Sequence, residues 1–311
     1  MRVAELRKGL EIRLSTRGNS AFRNFPTIRI SSKLSTIPKS AFHISQFLYS
    51  VLRLGASISE RFLGGYVAKP DPAKPLVAEW HWATPGEHGQ RLFVFLPGRR
   101  DRASDFGRRG FITLAQRRIL GLDCVAVDAT LGYYVNGSLA GRLQREIIDP
   151  ARAVGYREIW LVGVSMGGLG AFFHERAYPG EVNGLILLAP FLGDDQKLFA
   201  EIDAAGGAAT WACSQPAPAE KPKKSEFQRE LWRFLGRLPL DQARQLQIWI
   251  AYGDVDRLLP GIERLRNVVP QERVFRLKGG HTWKVWTTGF NVILAKIDWK
   301  GAAGPEKTHS E

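Results

Sequence analysis

The sequence predicts an α/β fold: a mostly parallel, twisted sheet with helices on both faces. Two observations carry that expectation. From residue 78 onward, short apolar strand-like runs alternate with helix-like segments, the order that parallel sheets require. The chain is also 44% apolar over 311 residues, enough for a large core, and an α/β domain of this kind is ordinarily one unit. The domain is expected to span 67–300, between a leader at 1–66 and a polar tail at 301–311.

The elements are read in chain order. Strands at Ala78 to Ala83 and Arg91 to Leu96 are joined across Pro85-Gly86-Glu87-His88-Gly89 and read as a hairpin. A helix is expected near 103–119, a strand at 122–128, and a helix at 138–153 begun by Ser138. The run Ile159 to Val162 is β-rich. Gly167-Gly168 then opens a helix-compatible segment that stops at Pro179-Gly180. After the apolar run Leu185 to Ala189 and Pro190 the rhythm breaks. Residues 194–244 form a polar insert, rich in Ala, Gly, Pro and Lys from Ala204 to Lys224. Glu226 to Leu238 reads as a helix with Phe227, Leu231, Phe234 and Leu235 on its apolar face. The insert is read as a small lid or cap over a pocket, the alternative being a solvent-exposed excursion. Strands at Gln247 to Tyr252 and Arg273 to Leu277 follow, the second leading to a helix that carries Trp283 and Trp286.

The leader has a different texture. It holds 11 Lys or Arg against 3 Asp or Glu, and so supplies +8 of the net charge of +14. With the imbalance concentrated there, and with no helix-turn-helix, zinc pattern or aromatic-interleaved basic repeat, a nucleic-acid surface on the domain is not expected. Residues 1–42 are compatible with a transit peptide, a disordered arm or an upstream extension. Residues 43–63 place Phe47, Val51, Leu54 and Ile58 at helical spacing. Such an amphipathic helix would dock on the body, lie on a membrane surface or fill a partner groove. No uncharged apolar run reaches the length of a bilayer span, so a cytoplasmic location is the default, with peripheral membrane contact or organelle targeting as the alternatives. Cys124 and Cys213 fit neither a disulfide framework nor a metal cluster.

The stretch that carries chemistry is 158–170, where an apolar strand runs into Gly163-Val164-Ser165-Met166-Gly167 and then into a helix. A tight strand-turn-helix of this form lifts a serine oxygen off the sheet edge, and glycines flank it because side chains there would collide. A lone serine is a poor nucleophile and needs a histidine base held by a carboxylate. Asp254 and Asp256 lie just past the strand at 247–252, and His281 lies just past the strand at 273–277. Loops at the carboxyl ends of parallel strands converge on one crevice, so these groups can meet although far apart in sequence. His43, His81, His88, His174 and His309 lack that placement.

On these residues the chain resembles the α/β-hydrolase-fold serine hydrolases, from about residue 77 to 298. The ending Gly279-Gly280-His281-Thr282-Trp283-x-x-Trp286 is similar to that of the esterase branch that includes enterochelin and feruloyl esterases and mycolyltransferase-like proteins. The resemblance implies a Ser165, Asp256, His281 triad, since the family's Gly-x-x-Asp falls on Gly253 and Asp256. Asp254 then becomes a loop cap or support, although either carboxylate could face the histidine. It also implies an oxyanion hole made by the backbone N–H of Met166 and, by alignment of Pro97-Gly98-Arg99 with the family's His-Gly-x turn, that of Arg99. Pro97 departs from the family histidine. Trp283 and Trp286, one helical turn apart, either contact substrate or pack against the sheet. The basic run Arg99, Arg100, Arg102, Arg108 and Arg109 is either a solvated helix face or a pocket for an acidic substrate.

The implied reaction is hydrolysis of a small-molecule carboxylic ester through an acyl-enzyme, with no metal and no organic cofactor. Gly163 to Gly170 lacks the lysine of a nucleotide-binding loop. A thioesterase or acyltransferase would use the same residues. A peptidase lacks a gating domain here, and a silent hydrolase-like scaffold is the reading from another class.

Overall fold

The computed structural model describes residues 71, 74–218, 226–238 and 246–299. The leader, its amphipathic segment and the polar tail lie outside them.

Among the described residues, seven strands form one sheet: β1 (Ala78–His81), β2 (Arg91–Leu96), β3 (Leu122–Val127), β4 (Glu158–Val164), β5 (Gly184–Leu188), β6 (Gln247–Gly253) and β7 (Val274–Leu277). Their order is β1-β3-β2-β4-β5-β6-β7, and every pairing is parallel except that of β1 with β3. The central strands are continuous apolar runs because both of their faces are covered; Leu92 to Leu96 in β2 are all fully buried. Phe95, Val162, Ile186 and Trp249 stand side by side across the central strands, so the carboxyl ends of β2, β4, β5 and β6 lie close together.

The hairpin expected between β1 and β2 does not form. β3 lies between them, and β1 pairs antiparallel with β3, Ala78 opposite Val127. The cause is visible at Asp123 near the start of β3. One of its carboxylate oxygens accepts from the N–H of Ala83 and the other from the N–H of Gly89, both at 2.7 Å. The connecting loop is thereby held across the end of the intervening strand instead of folding back on itself.

Helices cover both faces. α1 (Ala103–Arg108) and α2 (Phe111–Arg118) replace the single helix expected at 103–119, because Gly110 takes a left-handed φ of 77° between them. α3 (Leu131–Asn136), which was not anticipated, ends at Gly137, where φ is 75°. The helix expected at 138–153 is α4 (Leu139–Leu143), a π turn (Gln144–Ile148) and α5 (Asp149–Ala153). Pro150, with no N–H to donate to an i−4 carbonyl, stands just past the π turn. α6 (Met166–Ala177) packs on β2, β4 and β5 and against α4.

The insert between β5 and β6 contains α7 (Gln196–Ala204), α8 (Ala208–Ser214) and α9 (Phe227–Leu235). Neither α7 nor α8 was anticipated, α8 lying in the Ala-, Gly-, Pro- and Lys-rich middle of the insert, and α9 is docked on the body rather than splayed into solvent. Trp232 is fully buried and donates its indole N–H to the carbonyl of Leu192 at 3.0 Å. α10 (Leu259–Arg266) follows β6, and α11 (Trp283–Lys296) follows β7.

Neighbouring residues of β2 show the two faces. Phe95 meets Phe290 of α11 at 5.9 Å, and Phe290 in turn stacks on Phe111 of α2 at 4.9 Å. Leu96 points the other way, toward Gly167 of α6. Each buried aromatic pair adds about 0.5–1.5 kcal/mol beyond its area term. This cluster fixes α11 against the sheet, and α11 starts at the candidate site.

Candidate active site

The site is built at the carboxyl ends of β2, β4, β6 and β7. Ser165 stands between β4 and α6 with φ at 52°, a left-handed value that a side-chain-bearing residue adopts only when its surroundings force it. Glycine is required on both sides by close approach. A Cβ on Gly163 would stand 2.5 Å from the carbonyl oxygen of Gly167, and one on Gly167 would stand 2.0 Å from that of Leu96. The Ser165 N–H donates to the Leu188 carbonyl at 2.9 Å, and its carbonyl accepts from Gly168 and Phe191. The strained turn is thus tied to β5 and to the loop beyond it.

Two residues after Asp254, Asp256 turns inward and its side chain is closed to solvent. Its Oδ1 accepts from the N–H of Leu258 at 2.8 Å, and the His281 Nδ1 lies 3.0 Å from Oδ1 and 2.9 Å from Oδ2. A carboxylate can only accept, so Nδ1 carries the imidazole proton. Nε2 is then free to accept from the Ser165 hydroxyl, whose Oγ is 2.9 Å away. Asp254 faces elsewhere. Its carboxylate accepts from the N–H of Gly279 at 2.8 Å, and its own N–H donates to Leu277 at 2.7 Å, which ties the end of β6 to that of β7.

His281 is steadied from behind. The ring of Trp286, only 5% exposed, meets the imidazole edge to face at 4.8 Å, and Thr282 caps α11 by accepting from the N–H of Val285. Trp283 is half-buried between Phe106 at 5.6 Å and Phe111 at 5.4 Å, and contacts Trp286 at 5.2 Å. Of the two tryptophans, only Trp283 keeps surface to offer a ligand.

Met166 is the first residue of α6, so its N–H has no carbonyl one turn back to bind. The turn after β2 brings Pro97, Gly98 and Arg99 alongside: a Cβ on Gly98 would be 3.6 Å from the Cβ of Ser165. Among the described residues, neither the N–H of Met166 nor that of Arg99 is engaged in a hydrogen bond. The basic run divides. Arg102 pairs with Asp128 at 2.9 Å, Arg108 pairs with Asp105 at 2.8 Å, and the Arg109 guanidinium lies over the Trp283 ring at 5.6 Å. Arg99 and Arg100 are exposed.

One group beside the serine was missed in the sequence. Asp101 follows the two exposed arginines, where no spacing distinguishes it from a loop residue. Among the described residues, no three His, Cys, Asp or Glu side chains are arranged to hold a metal ion, and no helix is long and apolar enough to cross a membrane.

The sheet order, with one antiparallel edge strand and a strained serine turn after β4, defines the α/β-hydrolase fold. No family model and no curated protein matches the chain. Solved structures similar to it include an S-formylglutathione hydrolase from Staphylococcus aureus, at 12% identity and a TM-score of 0.46 over 73% of this chain and 98% of that one. A monoacylglycerol lipase from Paleococcus ferrophilus matches at 14% identity and 0.43, over 71% of this chain and 99% of that one. A ferulic-acid-bound protein from Butyrivibrio proteoclasticus matches at 13% and 0.44, over 71% and 94%.

Proposed function

We propose that the protein is a serine hydrolase that cleaves a small-molecule carboxylic ester through an acyl-enzyme, with Ser165 as nucleophile, His281 as base and Asp256 as the acid that orients it. The observation that carries this reading is the continuous relay from the Asp256 carboxylate through the His281 ring to the Ser165 Oγ, each link at 2.9–3.0 Å, on a strained turn at the sheet edge.

In this mechanism Nε2 of His281 takes the hydroxyl proton as Oγ attacks the ester carbonyl. The carbonyl electrons move onto its oxygen, which the N–H groups of Met166 and Arg99 receive. Asp256 stabilises the imidazolium. The carbon–oxygen bond to the alcohol then breaks, and the leaving alkoxide takes the proton from Nε2. Water enters and gives its proton to Nε2, and the hydroxide adds to the acyl carbon. Collapse returns Oγ as leaving group, which regains the proton, and the acid departs. The insert 194–244 serves as the cap of the acyl or alcohol pocket, and Trp283 supplies an aromatic wall.

A fluorophosphonate probe tests the reading. Ser165 is expected to carry the adduct, and Ser165→Ala is expected to lose labelling together with at least 10⁴-fold in kcat on a p-nitrophenyl ester series, on the scale of lost nucleophiles elsewhere. Labelling that survives in the folded variant, or no labelling of the wild type, rejects it.

A further inference from the structure

Asp101 has a side chain with no structural task that its surroundings explain. It closes the turn after β2, its N–H donating to the Gly98 carbonyl at 3.2 Å. α1 begins two residues later, but its first N–H groups are already served: Arg102 donates to Asp105 at 2.8 Å and Ala103 donates to Asp128 at 3.1 Å. The Asp101 carboxylate therefore caps nothing. Its Oδ1 accepts a single bond at 3.3 Å from the Trp283 indole, and among the described residues no donor or cation reaches Oδ2. The arginines around it are committed, Arg102 to Asp128, Arg108 to Asp105 and Arg109 to the Trp283 ring.

Its position is at the nucleophile. A Cβ placed on Gly98 would stand 2.4 Å from Oδ2 of Asp101 and 3.6 Å from the Cβ of Ser165, so this oxygen and the serine flank the same glycine. The Asp101 indole partner belongs to the aromatic stack that continues through Trp286 to His281. A half-buried carboxylate beside the point of attack gains from a substrate donor that takes the place of solvent there.

We propose that Asp101 is a specificity-determining residue: its free carboxylate oxygen accepts from an ammonium or hydroxyl group that the substrate carries within a few bonds of the scissile ester. This inference rests on the serine-hydrolase reading above. The site thus has a donor zone and an acceptor zone beside the serine. Backbone N–H groups take the developing oxyanion, and Asp101 takes a donor on the acyl or alcohol arm. An anionic group at the same place on a substrate meets like charge and is disfavoured. Burial, reinforced by Asp105, raises the Asp101 pKa above the ordinary aspartate range, against the pull of the Trp283 bond, Arg109 and His281. A cationic donor would offset that burial cost more than a neutral one.

The test compares ratios within each protein, so that general losses cancel. On the acyl side, kcat/KM for p-nitrophenyl β-alaninate and 3-hydroxypropionate is measured against the isosteric butyrate. On the alcohol side, 3-ammoniopropyl and 3-hydroxypropyl benzoates are measured against butyl benzoate. The wild type is expected to favour a donor-bearing ester by about tenfold to a hundredfold on one of the two sides, the scale of a charge-assisted hydrogen bond. D101N, which keeps an acceptor oxygen and the Trp283 bond, is expected to lose the ammonium preference and retain part of the hydroxyl preference. D101L is expected to lose both. Equal ratios in the wild type and both variants, with Ser165 still labelled and turning over ester, overturn this inference alone. Absence of labelling at Ser165 overturns the hydrolytic reading and this inference with it.

Discussion

Asp123 and Asp256 are both closed to solvent, at 1% and 3% exposure, and stand at opposite ends of the sheet. At the amino-terminal end Asp123 accepts from two backbone N–H groups and from the Tyr156 hydroxyl, all at 2.7 Å. None of those donors gives up its proton near neutral pH. The tyrosine is made less acidic still, by burial and by the hydrogen bond to that carboxylate. At the carboxyl-terminal end Asp256 accepts one backbone N–H and then faces an imidazole, a group whose ordinary range lies at neutrality. Burial is common to both carboxylates and so does not mark function. The partner does: one acid is saturated by fixed donors and staples a loop, while the other holds a group that can gain and lose a proton.

The sharpest way to break the comparison is to remove the negative charge at each end. D256N is expected to lower kcat/KM for an activated ester by about 10³ to 10⁴, because the amide can turn the imidazole into the wrong tautomer, with little change in melting behaviour. D254N, which touches only the β6–β7 connection, is expected to stay within about tenfold. If the two variants fall equally, the acid has been assigned to the wrong residue.

A second contrast concerns histidines. His281 lies open to the serine, whereas His174 in α6 is fully buried, with Nε2 2.8 Å from Oε1 of Gln144. Burial pushes the His174 pKa down from 6.5 to about 4, against the opposite pull of Asp149. The folded chain therefore refuses a proton that the unfolded chain accepts. Stability is complete above pH 6.5 and falls as pH drops toward 4, by about 3 kcal/mol at 1.36 kcal/mol per unit. Denaturant unfolding of H174Q between those pH values is expected to lack this increment; an identical acid dependence in the variant would show that other groups account for it.

The smallest effect is expected at the structural acid. D123N should cost about 2 kcal/mol in stability, the scale of a charge-assisted bond lost in the interior, while kcat at saturation with whichever activated ester the wild type turns over stays at the wild-type level. A fall in kcat without unfolding would erase the distinction between the two ends.

The parts of this molecule that could be read from sequence are those where one local pattern leaves one physical outcome. Strands of unbroken apolar residues, such as Arg91 to Leu96 and Gln247 to Gly253, fall within a residue or so of where the pattern puts them. The glycines around Ser165 announce the turn because nothing larger fits. What was not legible depends on partners distant in sequence. The 82–90 loop has good hairpin chemistry, yet β3 comes between its strands, and the loop is held there by the carboxylate of Asp123, 34 residues beyond Gly89. α3 and α8 are short and have weak periodicity, and their neighbours hold them. Near the serine, the choice between Asp254 and Asp256 turns on side-chain direction after a tight turn. Asp101 has no motif at all, and its interest arises only from the place that the turn after β2 gives it beside the serine.

The hydroxyl of Ser165 and the imidazole of His281 are separated by 116 positions along the chain, and the ring is held in place by the first turn of α11. A ribosome would finish the elbow long before the base that arms it emerges. On the proposed chemistry, a nascent or truncated polypeptide ending anywhere before α11 carries an inert alcohol, and acylating power switches on only when α11 docks. Maturation of the fold is then itself the safeguard against premature attack on acyl groups.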